Sequence, residues 1–297
     1  SVNLRGASGE ITIFHNSKKI GTRDIPAGYY QLHQNGIYHF NKKNYQVESI
    51  IKTQNGANAY LKKSDEIQKR TIPIVKTSLT QVSEKKSIKK EIDSTTTKIT
   101  LRYGLIDMNR TITGYLKGNY NDSADKFETI NGDSISTWNN FNWNSKHYCT
   151  SIFIPSEFGT KIKSDVKNSI VTDSKIHTIT HVLVNASKIL TKSESNDIDA
   201  YYEDGVIHLF DNTSDGYNGC SKMIYENFEK IMDTCFDLVN ECDCPVDPKQ
   251  KKAVSEGEEW GGCPKCTFTT NYCQTKNKKL SKNEALEFFS IFKREIK

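Results

Sequence analysis

Apolar and polar positions alternate along much of the chain as far as Pro155. GEITIFH (Gly9–His15), NYQVESIIKT (Asn44–Thr53) and NAYLKK (Asn58–Lys63) carry the two-residue period of strands with one buried face. Gln54-Asn55-Gly56 separates the last two, and Asn-Gly is a strong signal for a tight hairpin turn. TKITLRYGLIDM (Thr97–Met108), RTITGYLKGNY (Arg110–Tyr120) and YCTSIFIP (Tyr148–Pro155) are rich in β-branched and aromatic residues, which fit a pleated, half-buried surface. Val82–Lys98 is polar and charged; it reads as a linker, an exposed hairpin arm or a strand edge guarded by lysines. In Ser136–Tyr148, Trp138, Phe141, Trp143 and Tyr148 read as hairpin aromatics that fill the core of the sheet, with a base-stacking surface as the alternative.

Beyond Pro155 the period lengthens. Ile170, Ile176, Ile179, Val182, Leu183, Ala186, Ile189 and Leu190 recur at helical spacing, which predicts a helix over Lys163–Leu190, with room for a break. GVIHLFDN (Gly205–Asn212) reads as a short buried strand. Ser221–Cys242 reads as one amphipathic helix whose apolar face carries Ile224, Phe228, Ile231, Met232, Cys235 and Leu238. Ser281 and Glu284 stand at the spacing of a capping box and open a last helix. The change of period divides the chain into a β-rich accessory module, 1–158, and a second domain, 159–297.

The 297 residues leave room for one large or two ordinary domains, and 13 Phe with 14 Tyr make a sizeable core feasible although only 35% of residues are apolar. The net charge of +5 permits contact with nucleic acid or an anionic surface without establishing either. No apolar run is long enough to span a bilayer, so no membrane partner is expected. The opening SVNLRGASGE has neither an apolar signal segment nor an initiator Met, and reads as the start of a piece of a longer protein.

Five of the eight cysteines lie between Cys242 and Cys273. A long chain with one thiol cluster and no signal segment points to a reducing compartment, the cytoplasm, and to metal thiolates over disulfides. Cys263-Pro264-Lys265-Cys266 is a C-x-x-C knuckle preceded by Gly261-Gly262, which lets the backbone turn tightly; Cys242-Asp243-Cys244 supplies a second pair. Zinc takes four ligands in a closed tetrahedral site, often all sulfur. The expected set is Cys242, Cys244, Cys263 and Cys266, with Cys273 as the substitute. Cys149, Cys220 and Cys235 fall in strand, turn and helix patterns and read as buried thiols.

The zinc is expected to be structural. No His-x-Glu occurs to make a nucleobase-deaminase site, and Thr178 stands where a metalloprotease pair at His177 and His181 would need its glutamate base. The two histidines therefore read as packing or hydrogen-bonding residues. There is no Gly-Lys dipeptide, hence no Walker A loop, and no Gly-x-Ser-x-Gly elbow. Asp197–Gly205 is acidic and reads as a solvated loop.

The order of these motifs resembles the MrfA-type zinc-binding domain. In LFDNTSDGYNGCSKMIYENFEKIMDTCFDLVNECDC…GGCPKC, a strand ending in Phe-Asp leads through a glycine-bearing turn into a long helix, then Cys-x-Cys and Gly-Cys-Pro-x-Cys. IHTITHVLVNASKIL…NDIDAYY is similar to the family's His-bearing helix and acidic turn, and NYCQTKNKKLSKNEAL to its closing segment. His33, Gly36, Ile37, Tyr38, Tyr45 and Val47 resemble the core of the β-rich module that precedes that domain. Three departures are visible: Pro245–Gly262 is a Lys- and Glu-rich insertion between the second and third cysteines, GYNGC replaces a more glycine-rich turn, and NYCQTKN replaces the family's Cys-Gly-Asn.

The resemblance implies the C-terminal region of a superfamily 2 DNA helicase, some of which act in DNA repair. On that reading this is an α+β protein, a β-rich N-terminal module followed by an α/β zinc-binding domain. It supports an N-terminal motor of the same polypeptide or of a partner subunit, helps hold single-stranded DNA, and hydrolyses no ATP alone. Candidate phosphate contacts, taken from charge runs, are Lys85, Lys86, Lys89, Lys90, Lys276, Lys278 and Lys279. The alternatives are an adaptor subunit of a phage-defence or repair complex and a metal-dependent nuclease using Asp197, Asp199 and Asp211.

Overall fold

The computed structural model describes residues 9–25, 27–93, 98–122, 126–135, 141–154, 174–194, 197–213, 216–244, 261–269 and 280–292. The architecture is α+β, and the chain divides into two compact units, Ser1–Thr80 with Asp107–Lys146, and Gln81–Ile106 with His147–Lys297.

The first unit contains a five-stranded sheet built from β1 (Glu10–His15), β2 (Lys18–Asp24), β3 (Ile37–Phe40), β4 (Lys43–Thr53) and β5 (Gly56–Lys63), with the short helix α1 (Ala27–Gln31). The order is β2-β1-β5-β4-β3, antiparallel throughout except for the parallel pair β1 and β5. Two hairpins close through two-residue turns in the left-handed region, Asn16-Ser17 (φ 48° and 61°) and Asn41-Lys42 (φ 47° and 60°). In the third, Gln54 and Asn55 form the turn and Gly56 is already the first residue of β5. A Cβ on Gly56 would lie 2.1 Å from the Glu10 carbonyl oxygen, so glycine is what lets β1 run alongside this hairpin. The alternating positions Ile11, Ile13, Val47, Ala57, Ala59 and Leu61 are buried, as the two-residue period predicts. Phe141 and Trp143 join the same core against Tyr29, at ring distances of 4.7 and 5.0 Å. They are core aromatics; Trp138 lies outside the described residues.

A second sheet, which begins with β10 (Ile198–Glu203) and β11 (Val206–Asp211), runs β10-β11-β9-β7-β6, with β8 (Glu128–Asn131) paired to β7. Its long members β6 (Lys69–Asp93), β7 (Lys98–Asn119) and β9 (Phe141–Phe153) pass through both units. The two apolar runs on either side of Asn109 are thus one strand. The lysine-rich stretch is strand as far as Asp93, at the end of that strand order, so it is not a linker up to that point.

Among the described residues, the second unit packs four helices with β10 and β11: α2 (Ser174–Thr191), α3 (Cys220–Glu226), α4 (Phe228–Asn240) and α5 (Lys282–Ile291). Within Asp197–Gly205, expected to be loop, Ile198–Glu203 is strand: the hairpin turns at Asp204-Gly205 (φ 48° and 82°), and Tyr201 and Tyr202 pair with His208 and Ile207. The single helix expected over Ser221–Cys242 is broken at Asn227, whose φ of −117° and ψ of 25° are not helical. Ile224, Phe228, Ile231, Met232 and Cys235 are buried as predicted, while Val239 holds the fully buried place and Leu238 is only partly covered. Ile176, Ile179, Val182 and Leu183 of α2, and Ala285, Phe288 and Phe289 of α5, complete this core with Ile99, Leu101, Ile152 and Leu209.

Candidate metal centre

Helix α4 ends at Asn240, and the chain turns at once, with Cys244 N–H donating to the Cys242 carbonyl at 2.8 Å. This presents two sulfurs beyond the helix end. The other pair comes from the knuckle. The Cys266, Thr267 and Phe268 N–H groups all point to the Cys263 carbonyl at 3.1 Å, which coils the loop around its own sulfurs. Gly262 has φ 97°, and a Cβ there would sit 2.2 Å from Thr267 Oγ1 and 3.0 Å from Cys266 Sγ. No other residue fits that position without moving the loop.

The sulfurs of Cys242, Cys244, Cys263 and Cys266 all lie within 4.8 Å of one another, and they form the one such group of metal-ligating side chains among the described residues. Sulfur–sulfur distances are 3.4 Å (Cys242–Cys244), 3.5 Å (Cys242–Cys263), 3.5 Å (Cys244–Cys266) and 3.9 Å (Cys263–Cys266). A tetrahedron with zinc–sulfur bonds of about 2.3 Å has edges of about 3.8 Å. The four-sulfur donor set and its spacing fit zinc, with no ligand position left over for a reactive water. Two backbone amides already face the sulfurs as they would face thiolates, Cys263 N–H toward Cys266 Sγ and Lys265 N–H toward Cys263 Sγ, both at 3.3 Å. Burial opposes ionisation of Cys263, but the Lys265 N–H and the neighbouring thiols outweigh it and its pKa is lowered. Burial and hydrogen bonding with Cys244 and Cys263 push the Cys242 thiol up, so a metal entering the cage displaces protons.

Residues 179–267 match the family described as the MrfA Zn-binding domain. That span covers α2 from its second turn, the β10–β11 hairpin, α3, α4 and all four cysteines. The chain carries an MrfA-type zinc-binding domain. The fold agrees over a wider span: the crystal structure of the DUF1998 helicase MrfA bound to DNA superposes on 97% of this chain with a TM-score of 0.59 at 18% identity. The same helicase with DNA and AMPPNP gives 0.51 at 17% identity, again over 97% of the chain. This chain spans about a third of the MrfA chain, 34% and 32% in the two comparisons. An uncharacterised protein of Methanocaldococcus jannaschii is 27% identical over 121 residues, 37% of this chain and 93% of that protein.

Within the MrfA-type domain, α2 organises the zinc loop. His181 donates through Nδ1 to the Thr267 carbonyl at 3.1 Å, and Asn185 Nδ2 donates to the Cys266 and Phe268 carbonyls at 2.9 and 2.8 Å. Thr178 Oγ1 accepts the Ser281 N–H at 2.8 Å, which ties the start of α5 to the same helix. Thr178, His181 and Asn185 share one face, at i, i+3 and i+7. His177 and His181 are buried with their rings 4.3 Å apart, and neither belongs to a metal-ligating group among the described residues. The sequence signal for Thr178 and Asn185 was polar residues inside an apolar helical face, which spacing alone did not turn into a role.

The remaining candidates divide. Cys273, Lys276, Lys278 and Lys279 lie outside the described residues. Lys85, Lys86, Lys89 and Lys90 fall on β6. Cys149, Cys220 and Cys235 are buried, with burial pushing the Cys149 thiol up to about 12 and the Cys235 thiol well above its usual value. Asp197, Asp199 and Asp211 form no metal-ligating group among the described residues. Asp211 is fully buried, and its carboxylate accepts the N–H groups of Asn218 (3.0 Å), Gly219 (3.1 Å) and Ser221 (2.6 Å) at the start of α3.

Proposed function

We propose that this chain is the non-motor C-terminal region of an ATP-dependent DNA helicase or repair factor. Its zinc, held by Cys242, Cys244, Cys263 and Cys266, fixes the turn after α4 against the knuckle, and the chain supports the binding of single-stranded DNA. The observation that carries this reading is the coincidence of a closed four-sulfur cage with a fold likeness, over nearly the whole chain, to a helicase crystallised with DNA. Zinc supplies thiolate coordination that holds a loop, and no chemistry on a substrate. Lys85, Lys86, Lys89 and Lys90 contact phosphates from the terminal strand β6, with Lys276, Lys278 and Lys279 as further candidates.

The test is fluorescence anisotropy of labelled single-stranded DNA at about 50 and 200 mM salt, where each phosphate contact contributes about 0.7 to the slope of log affinity against log salt. The expected result is binding that weakens steeply with salt. Replacing the four β6 lysines by glutamine flattens the slope by about 3. Flat curves at low salt defeat the DNA reading.

A second reading has its own support. The archaeal relative is matched over 93% of its length by 121 residues, too short a protein to house a helicase motor. A region of this kind therefore exists apart from a motor, as an adaptor subunit of a defence or repair complex would. Co-purification with a motor subunit from the native source, in the absence of DNA affinity, favours the adaptor.

A further inference from the structure

We infer that Lys282 couples zinc occupancy to the seating of helix α5, acting as a positioning residue outside the ligand set. The inference rests on the zinc reading above. Lys282 is the first residue of α5 and is half-buried, with its Nζ 2.7 Å from the Cys242 carbonyl oxygen and 3.6 Å from Cys244 Sγ. One ammonium thus spans the Cys-x-Cys turn that leaves α4 and the helix that follows the knuckle.

The electrostatics give this contact its dependence on metal. Four thiolates around Zn²⁺ leave two negative charges in excess on the cage. Among the described residues, these sulfurs otherwise accept from the Cys263 and Lys265 backbone amides and contact one another, while the Cys266 thiol donates to the Cys263 carbonyl and the Thr267 hydroxyl; Lys282 alone brings a formal positive charge. With zinc bound, the ammonium faces an anionic sulfur. Without it, nothing pins the Cys-x-Cys turn to the knuckle, and the carbonyl and sulfur that the ammonium meets are no longer held in place.

The rest of α5 is anchored differently. Ala285, Phe288 and Phe289 are buried in the core of the unit, so apolar packing holds the body of the helix whether or not metal is present. The first turn depends on polar contacts: the Ser281 N–H to Thr178, the Ser281 hydroxyl accepting the Glu284 N–H at 3.3 Å, and Lys282 on the cage. Metal loss therefore loosens the first turn and spares the remainder. Linkage makes the effect reciprocal: whatever zinc gives to the seating of Lys282, Lys282 gives back to zinc affinity.

The experiment uses the full chain as wild type, Lys282→Met and Lys282→Arg. Zinc content is measured by plasma mass spectrometry, zinc release by transfer to an excess chromogenic chelator, and amide exchange over residues 280–292 with and without zinc. Outer-shell partners typically change metal affinity 10- to 100-fold. Lys282→Met is expected to hold one zinc but release it about 10-fold faster, while Lys282→Arg, which keeps the charge, falls between the two. In wild type, zinc removal speeds exchange in the first turn of α5 and leaves Phe288–Ile291 protected. Equal release rates from wild type and Lys282→Met, each with one zinc, overturn the coupling and leave the zinc reading standing. A wild type that binds no zinc overturns the zinc reading, and the coupling with it. Should Lys282→Met fail to fold, the wild-type exchange decides: a first turn unchanged by zinc removal overturns the coupling.

Discussion

At the scale of single residues, Asp211 shows how a buried charge becomes affordable. Burial raises its pKa, and three backbone N–H groups aimed at the two carboxylate oxygens work in the opposite direction. Those amides belong to the turn and first residues of α3, where a helix has donors without partners, and a carboxylate there also meets the positive end of the helix dipole. The Asp211 carbonyl in turn accepts the His147 Nδ1 proton at 2.8 Å. Asp211→Ala removes the acceptor of three backbone donors at once, the Ser221 N–H buried and those of Asn218 and Gly219 partly so, and bonds to a charged group are worth about 1.5–3 kcal/mol net. The expected loss is about 3 kcal/mol of stability, read from urea unfolding followed by circular dichroism, with little change in zinc content because the cage is built by other elements. The Phe-Asp that ends the strand was legible as a motif. Its role was not, because the groups it serves are brought to it only by the fold.

At the scale of elements, α2 is the piece on which the metal centre is assembled, though it contributes no sulfur. Its apolar face enters the core of the unit, and Thr178, His181 and Asn185 reach from the same helix to α5 and to the knuckle. Asn185→Ala removes two donors from the Cys266 and Phe268 carbonyls. It should weaken zinc about 10-fold in a chelator competition while costing only about 1–2 kcal/mol of stability, since each neutral hydrogen bond nets about 1 kcal/mol. What the sequence made legible among the elements was what is decided locally. Alternation placed β1, β4 and β5; the Ser281–Glu284 spacing placed the start of α5; two short cysteine motifs placed the cage. Decisions made by distant partners were less visible. β10 carries acidic residues between its tyrosines and becomes a strand because β11 pairs with it, and the apolar period runs unbroken through Asn227 although the helix does not.

At the scale of the whole molecule, each unit holds a histidine in neutral form, the buried His33 in the first and the half-buried His208 in the second. Burial lowers the pKa of His33 in the first unit and of His208 in the second to about 4, from an ordinary 6.5. The His33 ring lies 5.6 Å from that of Tyr115, its Nδ1 donates to the Gln34 carbonyl at 3.1 Å, and Gly36 leaves room for it, since a Cβ there would come within 3.0 Å of the ring. Between pH 6.5 and about 4 the unfolded chain binds protons at these positions that the folded chain does not. Stability therefore rises with pH across that window, is fully present above 6.5, and is lost as pH falls toward 4, by about 3 kcal/mol for His33 alone. His33→Leu keeps an apolar filler of similar size and removes the titration. Urea unfolding followed by tryptophan fluorescence, at pH 7 and pH 5, should show a smaller acid loss in the variant, by about 2 kcal/mol. An equal loss in both proteins would mean that His33 is already accessible to protons in the folded first unit, and the destabilisation below pH 6.5 would then have to come from other groups.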